Sequence, residues 1–206
     1  MKKITSDILL GYLDELYENP VCELNYTKDY ELLIATVLSA QSTDKRVNKV
    51  TNKMFEKYNI EDLAKLDVEE IERIIKSVGT FRKKAIFIKK ICQKLVEDYD
   101  GKVPNNRTYL ESLPGVGRKT CNVILSHLFN EPTIAVDTHV ERISKRLKIG
   151  KDSDTVLEIE NKLMKFLPKD KWAKAHLQLV LFGRYHCKSL KPNCNNCKLK
   201  DFCIKK

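Results

Sequence analysis

The sequence predicts an all-α protein, and three observations carry that prediction. Apolar residues return every three or four positions along nearly the whole chain, the period of a helix buried on one face. No segment alternates apolar and polar residues as a half-buried strand does. The 206 residues include only seven glycines, most of them standing where a helical stripe stops.

The stripes follow in order. Leu9, Leu10, Leu13, Leu16 and Tyr17 form the first, which Pro20 closes. Leu32–Leu38 is apolar on all sides, the pattern of a buried central helix. Val47, Val50 and Met54 stripe the next helix, and its other face carries Lys45, Arg46, Lys49 and Lys53. Asp67 with Glu70 has the form of a capping box, ahead of Ile71, Ile74, Ile75 and Val78, and Gly79 stops that helix. Ala85, Ile88, Cys92, Leu95 and Tyr99 make another stripe, closed by Asp100-Gly101. A helix starting near Arg118 places Cys121, Ile124, Leu125 and Leu128 on one face. Helical spacing resumes after Asp137, then at Val156, Ile159, Leu163 and Phe166 up to Pro168. Trp172 to Phe182 supplies the last apolar helix, and no long linker or simple repeat interrupts the chain.

Composition narrows the function classes. The chain has 38 Lys+Arg against 28 Asp+Glu, a net charge of +10, which favours an anionic partner such as nucleic acid. No run approaches the roughly 18 apolar residues of a membrane span. Asp7, Asp14 and Glu15 break the N-terminal apolar stretch and no small-residue cleavage site follows, so a signal peptide is not expected. The expectation is a cytoplasmic, monomeric protein with no membrane partner. Cys22, Cys92 and Cys121 are scattered as packing residues, while four more cysteines crowd the C-terminus. An odd count in a reducing compartment argues against disulfides, and the crowding argues for metal.

Three segments carry chemistry. In Leu113-Pro-Gly-Val-Gly-Arg-Lys119-Thr, Gly115 and Gly117 allow a tight reversal into the helix that opens at Arg118. The free N–H groups of such a turn and helix start are suited to a phosphate; the plain alternative is an ordinary helix corner. Lys119 then serves either as a phosphate contact or as a nucleophile, a role that needs its neutral amine. Asp137, in Val136-Asp-Thr-His139, has two readings as well. It helps a helix begin, with Thr138 and Glu141 as a capping box, or it is a working carboxylate. Finally, Cys187-x6-Cys194-x2-Cys197-x5-Cys203 sets four thiols within 17 residues, a metal-binding pattern. Zinc is the rival occupant, although zinc modules of this size use two close cysteine pairs and only Cys194 and Cys197 form one. Lys188 and Lys191, inside the loop the first two cysteines close, are either phosphate contacts or a solvated basic surface.

LPGVGRKT, followed by PTIAVDTHVERI and the terminal cysteines, resembles the helix–hairpin–helix DNA glycosylases, in the subgroup called endonuclease III. The likeness also takes in ELLIATVLSAQSTD and so runs from about residue 22 onward. It implies a two-lobed fold with one lobe over 21–132 and the other over 1–20 with 133–206. Lys119 and Asp137 are then expected to face each other where the lobes meet. The resemblance implies base excision on double-stranded DNA with oxidised or ring-damaged pyrimidines or abasic sites, then β-elimination through a Lys119 Schiff base. It makes Asp137 the group that takes a proton and stabilises the sugar cation. Gly115, Gly117 and Arg118 become DNA contacts, and Cys187, Cys194, Cys197 and Cys203 hold a structural [4Fe–4S] cluster. A damaged base must leave the stack to be reached, and the resemblance gives Gln41 the vacated space; unaided, Gln41 reads as a solvated loop residue. One departure stands out: relatives often carry a bulky aliphatic wedge after the glycine matching Gly79, and here Thr80 and Phe81 follow. Relatives that excise adenine without strand cleavage typically lack the hairpin lysine, which this chain has. A non-catalytic iron–sulfur DNA-binding protein would leave Lys119 and Asp137 without purpose.

Overall fold

The computed structural model describes residues 2–204, and every regular element among them is helical. In chain order these are α1 Ser6–Leu16, α2 Asp29–Ser39, α3 Asp44–Lys57, α4 Ile60–Lys65, α5 Val68–Ile75 and α6 Phe81–Tyr99. They continue with α7 Arg107–Ser112, α8 Arg118–Phe129, α9 Thr138–Arg146, α10 Val156–Phe166 and α11 Trp172–Leu181. A π-helical turn, Phe182–His186, extends α11, and 3-10 turns lie at Lys169–Lys171 and Lys200–Phe202. The chain divides into two compact units, one of Cys22–Phe129 and the other of residues up to Val21 with those from Asn130 onward.

In the Cys22–Phe129 unit, α2 is buried at every position from Tyr30 to Leu38, so it has no polar face to show water. Helices α3, α6 and α8 pack on it, and α4 and α5 pack on α6. The stripe of α3 is buried at Val47, Val50 and Met54 and leaves Lys45, Arg46, Lys49 and Lys53 exposed. Cys92 of α6 and Cys121 of α8 are small core residues, and burial pushes the Cys92 thiol up to about 12, which keeps it inert. Helix α8 departs from the one-faced pattern: Cys121 through Ser126 are all buried. Its Asn122 is accommodated because Arg107 Nη2 donates to Asn122 Oδ1 at 2.8 Å.

Two helices were not legible as stripes, α4 and α7, because six residues are too few to display a period. Both are started by caps. Asn59 Oδ1 accepts from the Asp62 N–H at 2.8 Å while Asp62 Oδ2 accepts from the Asn59 N–H at 3.1 Å, and Asn106 Oδ1 accepts from the Tyr109 N–H. The expected box at Asp67 and Glu70 does not form. Asp67 occupies the N-cap position without a side-chain bond, and α5 is held instead by burying Ile71 and Ile75.

In the other unit α1, α9, α10 and α11 enclose a core that includes Leu9, Leu13, Ile143, Leu163, Leu179 and Phe182. A reciprocal cap between Thr155 and Glu158 opens α10, and Trp172 Nε1 donates to Leu167 O at 3.0 Å where α10 hands over to α11. No helix among the described residues is long and apolar enough to cross a membrane.

Candidate nucleic-acid interface and cysteine pocket

The hairpin between α7 and α8 is pinned by the buried side chains of Leu113 and Val116. Gly115 takes φ +80, and a Cβ built there would lie 2.5 Å from Phe87 Cδ2, so this position requires glycine. Gly117 differs from expectation. Its φ is not positive and a Cβ would meet nothing within 4 Å, so the reversal does not need a glycine there. The space in front of Gly117 is open. Intrahelical bonding in α8 begins with the Cys121 N–H on Gly117 O at 2.9 Å, so the amides before it have no helical acceptor. Arg118 and Lys119 are exposed in this first turn, which carries no acidic residue. The turn is therefore electropositive from both side chains and backbone.

Asp137, not Thr138, is the N-cap of α9. Its Oδ1 accepts from the His139 N–H at 2.8 Å and the Val140 N–H at 2.9 Å. Oδ2 has no hydrogen-bond donor among the described residues, so one carboxylate both caps the helix and keeps an oxygen available. His139 is fixed by structure. Arg142 Nη2 donates to His139 Nδ1 at 3.1 Å, and a Cβ on Gly183 would lie 2.6 Å from His139 Cβ. Because arginine offers only donors, Nδ1 is the acceptor of this pair.

Gln41 follows the end of α2, exposed and in the left-handed region at φ +58. Thr80, also exposed, adopts φ +54 as the residue before α6. Phe81 packs against the core with the Arg82 guanidinium 5.0 Å from its ring centroid, so the exposed residue after Gly79 is the threonine. Gln41, Thr80 and Gly115 share the wall of one pocket of about 230 Å³ within this unit.

The four C-terminal cysteines all line a single pocket, with Arg146, His186 and Lys200 beside them. The π turn delivers Cys187, and two arginines of α9 anchor it. Arg146 Nη1 donates to Cys187 Sγ at 3.1 Å and to Lys188 O at 2.9 Å, while Arg142 Nη2 donates to Gly183 O at 2.8 Å and Cys187 O at 3.1 Å. Burial raises the Cys197 thiol, and the three neighbouring cysteines raise it further, so that it holds its proton more tightly than a free thiol. Among the described residues, no three His, Cys, Asp or Glu side chains are placed to hold one metal ion. Lys188 and Lys191 are exposed on the loop outside this pocket, Lys191 at φ +50. Sequence reasoning missed the two anchoring arginines, whose i, i+4 spacing on α9 signals only a shared face.

Known proteins match this chain over most of its length. Residues 34–169 match the family described as HhH-GPD superfamily base excision DNA repair protein. Endonuclease III of Bacillus subtilis (strain 168) is 46% identical over 198 residues, covering 96% of this chain and 90% of that protein. The chain belongs to the endonuclease III family. It is accordingly a base excision repair enzyme, a DNA glycosylase with abasic-site lyase activity. Endonuclease III of Haemophilus influenzae is 43% identical, with 98% of this chain and 96% of the relative covered. Among solved structures, a trapped endonuclease III–DNA covalent intermediate superimposes with a TM-score of 0.91 at 48% identity, covering 95% of this chain and 92% of that one. The all-α fold expected from the stripes is the fold of these endonuclease III structures.

Proposed function

We propose that this enzyme excises oxidised or ring-damaged pyrimidines from double-stranded DNA and then breaks the abasic strand through Lys119. The observation that carries the reading is the exposed Lys119 in the first turn of α8, directly behind an electropositive hairpin with open space before Gly117. A relative caught as a covalent enzyme–DNA intermediate supports an attacking side chain of this kind. Phosphate at the hairpin brings the strand to the amides around Gly115 and Gly117 and to Arg118. The neutral Lys119 Nζ attacks the sugar C1′, the C1′–N bond breaks, and its electron pair leaves with the base. Asp137 Oδ2 takes a proton and stabilises the cationic sugar while Oδ1 holds the helix cap. Ring opening yields a Schiff base at C1′. Loss of a C2′ proton then expels the 3′ phosphate, and water releases the unsaturated aldehyde and Lys119. Gln41 fills the space of the extruded nucleotide, and Lys188 and Lys191 neutralise backbone phosphates.

Cys187, Cys194, Cys197 and Cys203 line one pocket, and only Cys194 and Cys197 form a close pair in sequence, unlike the two close pairs of small zinc modules. We assign them to a [4Fe–4S] cluster, which when bound supplies a structural tie for the C-terminal loop. The purified protein is expected to be yellow-brown with about four irons per chain. Cys197→Ser should lower solubility and DNA binding before any catalytic step, and a colourless active protein with stoichiometric zinc would refute the assignment.

The reading of the hairpin predicts that its two glycines fail differently. Gly115→Ala should cost about 1–2 kcal/mol of stability from its left-handed backbone alone, with the Phe87 contact adding to it. Gly117→Ala should leave the melting temperature unchanged or slightly raised while weakening duplex binding, because its Cβ stands where a phosphate approaches. Thermal melts and DNA titrations separate the two; unchanged affinity for Gly117→Ala would remove this residue from the interface. Substrate class is tested with duplexes that each carry one defined lesion, scoring base release and nicking separately. Release and nicking confined to damaged pyrimidines is expected; activity on purine lesions alone would overturn the substrate class.

A further inference from the structure

Lys84 has no part in the reaction above, yet its side chain is buried, with the residue only 4% exposed. Its Nζ donates to Leu38 O at 2.9 Å and to Ala40 O, and among the described residues it forms no ion pair with a carboxylate. Desolvation by itself lowers its affinity for a proton. Burying an ammonium among neutral partners is costly, and an apolar side chain of similar volume is often as stable or more so. An apolar side chain could fill the volume, but only a donor such as this lysine can hold two carbonyls at once.

The two carbonyls it grips belong to the C-terminal end of α2, where the helix dipole is negative, and they lie one and three residues before Gln41. Gln41 takes its left-handed φ of +58 at that point, a conformation that costs a residue with a Cβ about 1–2 kcal/mol. A second restraint acts from the other side. The Gly79 N–H donates to Ser42 Oγ at 3.0 Å, and Gly79 is so close that a Cβ on it would lie 3.1 Å from Gln41 O. Thr80, the next residue, is left-handed too. Two strained residues thus share one pocket wall, and the Gln41 turn is locked from two directions, the arrangement that marks a segment held ready for use.

We propose that Lys84 is a positioning residue that holds the Gln41 turn in the conformation that fills the space of an extruded nucleotide. The inference rests on the reading of Gln41 given above. Lys84 touches no DNA; it acts through the backbone of residues 38–41 and is needed most when a well-paired base must be displaced.

The test uses the full-length, iron-loaded enzyme with Lys84→Met, Gln41→Ala and the double variant. Single-turnover excision is measured on one lesion, placed in a matched duplex and in a bulge where extrusion is easy. Lys84→Met should slow excision from the matched duplex on the order of 10-fold or more and from the bulge far less, a substrate dependence that a general loss of stability would not produce. Adding Lys84→Met to Gln41→Ala should slow the reaction no further, because both act through one element. Gly79→Ala, which presses on Gln41 O without touching Lys84, should show the same substrate dependence and serves if Lys84→Met does not fold. Wild-type rates for Lys84→Met on the matched duplex, equal losses on both substrates, or losses that multiply with Gln41→Ala would overturn the proposal. Should Gln41→Ala excise like wild type, the reading of Gln41 fails and the inference fails with it. If only the Lys84 and Gly79 variants are normal, the inference alone fails.

Discussion

A hydride reductant added during turnover should join this enzyme covalently to lesion-bearing DNA, and Lys119→Ala should abolish that bond entirely. An imine between Lys119 Nζ and C1′ reduces to a stable amine, so the adduct survives denaturing electrophoresis. Without the amine there is no imine, and strand cleavage by β-elimination should disappear together with trapping. Lys119 is exposed, and alanine is at least as good a helix former, so the substitution should leave melting within about 0.5 kcal/mol of wild type. Lesion binding should persist for the same reason. Trapping of Lys119→Ala at the wild-type rate would mean that another amine is the nucleophile.

Asp137 should divide its two roles between two substitutions. Asparagine retains an oxygen able to accept from the His139 and Val140 amides, and it is as good an N-cap as aspartate. Asp137→Asn should therefore fold normally but excise bases at least about 100-fold more slowly, the size expected for loss of a positioned acid–base group. It should still form the Schiff base on preformed abasic sites, where no base has to leave. Asp137→Ala removes charge and cap together and should lose about 1 kcal/mol of stability in addition. Single-turnover excision, borohydride trapping on abasic DNA and thermal melts distinguish these outcomes. A normal excision rate for Asp137→Asn would leave this residue a helix cap and nothing more.

The sequence by itself determined the fold class, since helical stripes such as Val47/Val50/Met54 and Ile159/Leu163/Phe166 depend only on which residues must leave water. Local chemistry was legible in the same way. The end of α6 at Asp100-Gly101 and the start of α8 at Arg118 follow from backbone preferences confined to a few residues. The four crowded cysteines announced a binding pattern because ligands close in sequence need no knowledge of the rest of the chain. What depended on residues far apart was decided only by tertiary structure. Gly115 is required because Phe87, 28 positions earlier, fills the space a Cβ would take, whereas Gly117 meets nothing. Asp137 displaced Thr138 as the cap because the approach of Ile134–Val136 to the core sets where helical geometry begins. The grips of Arg142 and Arg146 on the Cys187 loop, and of Lys84 on the end of α2, join residues more than 40 positions apart. A charged side chain in sequence announces only solvent. Packing alone decides which charges are buried and which carbonyls they hold, because that depends on where separate helices come to rest against one another.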